Sequence, residues 1–263
     1  MLSKNKEYIV DIVDIGQGGV GVGKYEGFTV FVEGGLLQDK VKVKISKSKK
    51  NYAVGDIVEI IEKSPFRVDR ICSDELKDCG GCQIQELNYN KQLELKTNEV
   101  KQVVARIGKL ENVDIHETMG MENPCRYRNK AQFPIQNING EPAIGFYKKK
   151  SHDVIPTDMC VIQHDINDKI IKIIKTYIQA YNISIYNENT HTGVLRHLVT
   201  KVGFTTNEVM VVLVANGTNL PHLNELASIL EENIPGFKTL VLNVNKAKTN
   251  VILGKENKVI YGN

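Results

Sequence analysis

The sequence predicts an α+β protein in two parts, a small all-β barrel over residues 1–63 and a mixed α/β domain over residues 64–263. Short β-branched runs separated by Gly and Asp clusters fill the first part. Beyond them, helical and strand periodicities alternate. A Ser64-Pro65-Phe66-Arg67 turn stands between the two regimes.

In the first part, Tyr8 to Val13, Phe28 to Val32, Lys40 to Ile45 and Asp56 to Ile61 read as strands. Val41, Val43 and Ile45 alternate with lysines, the pattern of a half-buried strand. Four such runs at this spacing suggest a small closed barrel of the oligonucleotide-binding kind. Gly16 to Gly23 spells G-x-G-x-x-G, but Lys24-Tyr25-Glu26-Gly27 leads straight into another strand. A dinucleotide fingerprint needs a helix there, so these glycines are predicted to shape a barrel turn. In the second part, Leu87 to Ile107 reads as an amphipathic helix closed by Gly108. Cys125 to Ile135 and Ala143 to Tyr147 read as strands around an Asn139-Gly140 turn. A helix is predicted from Asp165 to Tyr181, a hairpin from Leu195–Gly203 and Val209–Val214, and a helix from Leu220 to Asn233. A strand from Thr239 to Val244 and a final hairpin from Val251 to Tyr261 complete the chain.

Composition narrows the function. The chain is 41% hydrophobic and 25% charged, with 34 Lys+Arg against 31 Asp+Glu and a net charge of +3. That is only mildly basic. No apolar run approaches the about 20 residues of a membrane span, and no signal core opens the chain, so a cytoplasmic protein with no membrane partner is expected. No H-E-x-x-H or G-x-S-x-G occurs to suggest hydrolysis.

Five cysteines are present, three of them in Cys72-x6-Cys79-Gly80-Gly81-Cys82. In a reducing compartment such crowding favours metal ligation. The Gly-Gly pair lets the loop fold tightly and frees amide groups to point at sulfur. A fourth ligand is needed, with Cys160, Cys125 or a histidine as candidates, and both zinc and a 4Fe–4S cluster are chemically acceptable. Basic residues form the second constellation. Lys40, Lys42 and Lys44 share one strand face, followed by Lys47, Lys49 and Lys50 in the loop; this suits either RNA or a solvated edge strand. Strand alternation would also put Arg126, Arg128 and Lys130 on one face, with Lys148 to Lys150 nearby and Gln132 on the same run. Guanidinium groups so placed suit phosphate contacts. Arg196-His197 opens a later hairpin and is ambiguous alone.

Several motifs together resemble the TrmA-type RNA (uracil-5-)-methyltransferases, the group that includes the 23S rRNA m5U enzymes. They are Asp14-Ile15-Gly16 with Gly21-Val22-Gly23 and Gly27 to Val32, then Cys79-Gly80-Gly81-Cys82-Gln83-Ile84-Gln85. Tyr127 to Phe133, Gly145-Phe146-Tyr147-Lys148 with Ser151-His152 and Cys160, and Gly193 to Val199 follow in family order. The resemblance implies a TRAM barrel that binds RNA, with Lys40, Lys42, Lys44, Arg126, Arg128, Lys130, Gln132, Arg196 and His197 as RNA contacts. It also implies that Cys72, Cys79, Cys82 and Cys160 ligate a 4Fe–4S cluster rather than zinc, leaving Cys125 an ordinary strand residue. The first cysteine gap is six residues rather than the more usual five, and Glu86 stands in place of a histidine.

Family members carry a Rossmann-like S-adenosylmethionine (SAM) domain with the attacking cysteine, and the sequence shows no strand–glycine loop–helix unit for it. The expectation is therefore a SAM domain absent from this chain and no catalytic residue in it. It follows that the chain would be a truncated, inactive RNA-recognition and iron–sulfur part, with 23S rRNA as partner and a separately encoded catalytic domain. A stand-alone metal- or Fe–S-stabilised RNA-binding module is the alternative. A radical Fe–S methylthiotransferase is set aside because its C-x3-C-x2-C cluster is missing.

Overall fold

The computed structural model describes residues 2–262. They divide into two units, residues 1–71 with 82–122 and residues 72–81 with 123–263. The division thus falls in the cysteine loop and again near residue 122, not at residue 63.

In the first unit, β1 (Glu7–Gly16), β2 (Val20–Tyr25), β3 (Phe28–Glu33), β4 (Lys40–Ser48) and β5 (Tyr52–Glu62) close into a barrel in the order β1-β2-β3-β5-β4. Val10, Ile12, Val30, Val32, Val41, Val43 and Ile45 fill its interior. β4 is no edge strand, because it pairs with both β1 and β5. β2 was read as a turn because Gly21 and Gly23 interrupt it. Those glycines are there for space, since a Cβ on Gly23 would sit 2.2 Å from Val10 Cγ1.

The barrel ends on a buried ion pair that the sequence does not announce. Asp39 accepts from the backbone amides of Leu36 (2.7 Å) and Ser64 (2.8 Å) and from the Arg67 guanidinium (2.6 Å). Arg67 also donates to Gly34 O at 2.8 Å. The helix α1 (Tyr89–Arg106) follows in the same unit, capped by the Asn88 side chain on Asn90 N and Lys91 N. Its predicted core stripe is not buried within the described residues: Val100, Val103 and Ile107 are exposed, and only Thr97 is buried.

The second unit is a seven-stranded sheet flanked by helices. β6 (Lys130–Ile138), β7 (Glu141–Tyr147), β8 (Val154–Pro156), α2 (Ile166–Ala180), β9 (Leu195–Val202), β10 (Val209–Ala215), α3 (Leu223–Asn233), β11 (Phe237–Val244) and β12 (Glu256–Tyr261) follow in chain order. The sheet order is β12-β11-β10-β9-β6-β7-β8. α2 and α3 bury their apolar sides on one face, with Phe133, Ile135, Leu195, Leu198, Val211, Leu213, Leu240 and Leu242. The expected final hairpin is a single strand, β12, antiparallel to β11.

One expectation needs correcting. Residues 125–129 are not strand: Arg126 has φ +56°, so strand alternation begins only at Lys130. β10, the Asn216-Gly217 loop, α3 and the parallel strand β11 form a β-α-β unit. Among the described residues, no helix is long and apolar enough to cross a membrane.

Candidate functional site

The cysteine loop is shaped by backbone pairing before any ligand is considered. Cys79 bridges to Lys148, Gly80 N donates to Tyr147 O (3.0 Å), and Lys149 N donates to Asp78 O (3.0 Å). The Gly81 amide points at Cys79 Sγ, 3.4 Å away. Burial pushes the Cys160 thiol up, and nearby Cys72 and Cys79 push it further, so these three sulfurs of the second unit share one electrostatic neighbourhood. Among the described residues they do not converge as a group of three or more that could hold a metal ion. Cys82, next after Gly81, belongs to the first unit. Cys125 lies in the loop before β6 rather than on a strand.

Arg126 serves this neighbourhood. Its Nη1 donates to Cys160 O (2.8 Å) and Gln163 O (3.2 Å) and lies 3.6 Å from Asp168. Burial raises the Asp168 pKa in spite of that guanidinium. The left-handed Arg126 backbone turns the side chain back onto the Cys160 loop. Arg128 pairs by its backbone with residue 162 and leaves its side chain exposed.

The basic strand of the barrel is met by acids. Lys40 pairs with Glu62 and Lys42 with Glu59, each at 3.1 Å, while Lys44 lies opposite Asp56 on one side and Glu7 on the other. The three lysines alternate with the buried Val41, Val43 and Ile45, as read from the sequence, but β1 and β5 partly neutralise them. The Glu62 hydrogen bond, then the Glu62 and Asp11 charges, raise the Lys40 pKa.

On the sheet of the second unit, alternation sends Lys130, Gln132, Pro134 and Gln136 of β6 to the face away from α2 and α3. His197, Val199 and Lys201 of β9 lie on the same face. Lys130 and Lys201 are direct cross-strand partners, and no acid pairs with either among the described residues. Like charges opposite one another destabilise a sheet unless an anion lies between them. Lys201 was missed because it was weighed only as part of a hairpin; the alternation that marks Lys130 also marks Lys201.

Arg196 and His197 part company. A β-bulge in β9 at Arg196 lets Leu195 and Leu198 both face the helices. The buried Arg196 guanidinium donates to Asn245 O (2.6 Å) and Ala247 O (2.9 Å) and lies 4.3 Å from the Tyr186 ring. His197 faces the open side. Burial, then the neighbouring Arg196 charge, push it down to about 4, so it is neutral at pH 7.

Comparison with known proteins gives these features a context. The TRAM domain family matches residues 3–58, the barrel. An uncharacterized RNA methyltransferase of Clostridium acetobutylicum is 45% identical over 99% of this chain and 57% of its own length. One from Clostridium tetani is 44% identical (99% and 56%), and one from Staphylococcus epidermidis 38% (99% and 57%). The chain therefore spans a little over half the length of these relatives. The crystal structure of Pyrococcus abyssi tRNA (uracil-54, C5)-methyltransferase with S-adenosyl-L-homocysteine superposes with a TM-score of 0.70 at 24% identity, over 97% of this chain and 55% of that one. At that identity the likeness is one of fold.

This alignment does not carry the expectation of an inactive chain, since the proteins it matches, over a little over half of their length, are named as RNA methyltransferases. Essentially all of its length, barrel and sheet alike, matches proteins named as RNA methyltransferases. Nor does it call for a separately encoded catalytic domain. The relatives are named for RNA without 23S rRNA, and the Pyrococcus abyssi enzyme is named for tRNA.

Proposed function

We propose that this protein binds RNA and acts as a SAM-dependent RNA methyltransferase at uracil C5. The TRAM match on a closed barrel, in a chain that aligns over 99% of its length with a little over half of proteins named as RNA methyltransferases, carries the reading. The Lys130–Lys201 pair supplies the phosphate-binding surface, with Gln132 and His197 beside it. Lys40, Lys42 and Lys44 are weaker contacts because acids already face them. Arg126 and Arg196 hold loops instead. Given RNA and methyl-labelled SAM, the protein should place label at uracil C5. Label on a ribose or another base sinks the uracil assignment; failure to bind RNA at low salt sinks the whole reading.

SAM would supply the methyl group. The β10–Asn216-Gly217–α3 unit does not fit its adenosyl moiety well. Asn216 already donates to Gly193 O, and α3 begins at a left-handed His222 without a side-chain cap. No step is assigned there.

The lysine pair gives a quantitative test. Single-stranded RNA binding loses about 0.7 in salt slope per phosphate contact removed. Lys130→Gln with Lys201→Gln should therefore flatten log Kd against log salt by about 1.4 and weaken binding at low salt. An unchanged slope removes the pair from the interface.

Cys72, Cys79 and Cys160, with Cys82 as fourth ligand by sequence, fit a 4Fe–4S cluster in donor chemistry. The thiols interact, yet do not close round one ion, and Gly81 N–H already points at Cys79 sulfur. Such a cluster would staple the Cys72–Cys82 loop to the Cys160 loop. Anaerobic purification should give brown protein with about four iron and four sulfide per chain. One zinc and no colour would replace the cluster with a zinc site, and no metal at all would discard both.

A further inference from the structure

On the same open face of the second unit's sheet, a cavity of about 680 Å³ is bounded by β6, β9 and the loops around residues 185–189 and 248–252. Its size suits a nucleotide-sized ligand. His197 and Gln136 line it. Gln136 Oε1 accepts from Val154 N at 3.1 Å, which turns its amide NH2 outward as a donor. The His197 Nδ1 is buried without a partner, so we assign the proton to Nε2, which makes the ring a neutral donor. One wall is the stacked Tyr147–His152 pair, with ring centres 5.2 Å apart and planes at 27°; Glu188 holds His152 Nδ1 at 3.2 Å. Tyr186 also lines the cavity, with the Arg196 guanidinium over its ring.

The lining is unlike a phosphate site. Its cations, Arg196 and Lys248, are balanced by Asp153 and Glu188, and Arg196 is already spent on carbonyls. What remains is aromatic faces with neutral amide and imidazole groups. A planar heteroaromatic ring edged with donors and acceptors answers both. The site also lies in line with the lysine pair. From Lys130 to Gln136 along β6 is about 20 Å, a few nucleotides of an extended strand.

We propose that this cavity binds an unpaired nucleobase, delivered by a strand whose phosphates lie across Lys130 and Lys201. The identity of the ligand as RNA rests on the function proposed above; a free mononucleotide would bring the same ring.

The test uses the whole chain and His152→Ala, His197→Ala and His197→Gln, each first shown to melt like wild type. Binding is followed by fluorescence anisotropy with a short single-stranded RNA over a salt series. Mononucleotide binding is read separately from NMR shifts. His152→Ala should weaken RNA binding about tenfold by loss of stacking while leaving the salt slope unchanged, unlike the lysine variants. His197→Ala should level the preference among the four homopolymers, and His197→Gln, which keeps an N–H, should retain it. If wild type binds RNA and these variants bind it identically, the cavity is refuted and the RNA reading stands. If wild type takes a mononucleotide but no RNA, the base site stands and the RNA reading falls. Binding of neither overturns both.

Discussion

Asp39→Ala should cost the first unit about 3–5 kcal/mol, the range for stripping one partner from a buried ion pair. Asp39 has a side-chain exposure of 0%, and its carboxylate answers the amides of Leu36 and Ser64 as well as Arg67. Without it, those two amides and a mostly buried guanidinium lose their acceptor together. Thermal unfolding should shift down by on the order of 15 °C, with the loss confined to barrel probes. Burial alone would raise the Asp39 pKa, but the Arg67 hydrogen bonds and the two backbone amides outweigh it and hold the carboxyl below the ordinary carboxylate value. A depressed folded pKa stabilises above the unfolded value and loses that contribution as pH falls through the folded one. The wild-type barrel should therefore lose stability below about pH 4, and Asp39→Asn, already destabilised, should show a shallower acid slope. A variant that melts with wild type at pH 7 would show that the pair is not load-carrying in solution.

How much of this could be read from the sequence depends on the range of the interaction. The β4 alternation was legible, because burying Val41, Val43 and Ile45 is a period-2 decision made within one strand. The charge state of the lysines between them was not, because Glu59 and Glu62 arrive from a strand about twenty residues on. Asp39 and Arg67 are separated by 28 residues, and no local signal joins them. β2 was hidden for a different reason. Its glycines look like turn residues, whereas the space at Gly23 is filled by Val10 of a neighbouring strand and that at Gly21 by the Gly35 backbone. The apolar stripe of α1 was correctly read as apolar; periodicity cannot say what covers it.

The candidate site shows the same limit. Spacing exposed the cysteine loop, and the burial of Cys160 near Cys72 and Cys79 appears only in three dimensions. Alternation placed Lys130 and Gln132 on one face once the strand began, but a single positive φ at Arg126 removed Arg126 from that face. The cavity draws Tyr147 and His152 from the β7–β8 hairpin, Tyr186 from the segment between α2 and β9, and His197 from β9. No one-dimensional pattern could assemble them.

Arg196 is where sequence and structure differ most in consequence. Read as an RNA contact, it would be dispensable for folding, and Arg196→Ala would weaken RNA binding at an unchanged melting temperature. In the structure it is 4% exposed and ties the 245–249 segment to β9 through Asn245 O and Ala247 O, with its flat face over Tyr186. Truncation removes two charge-assisted hydrogen bonds, worth about 1.5–3 kcal/mol each, and leaves the buried Asn245 carbonyl without that donor. Arg196→Ala should therefore destabilise the second unit by about 3–5 kcal/mol. Arg196→Lys should recover only part of this, because an ammonium group cannot lie flat on the Tyr186 ring as the guanidinium does. Urea unfolding of both variants decides the matter. A midpoint equal to wild type, with RNA affinity lost, would return Arg196 to the RNA surface and require the 245–249 segment to hold without it.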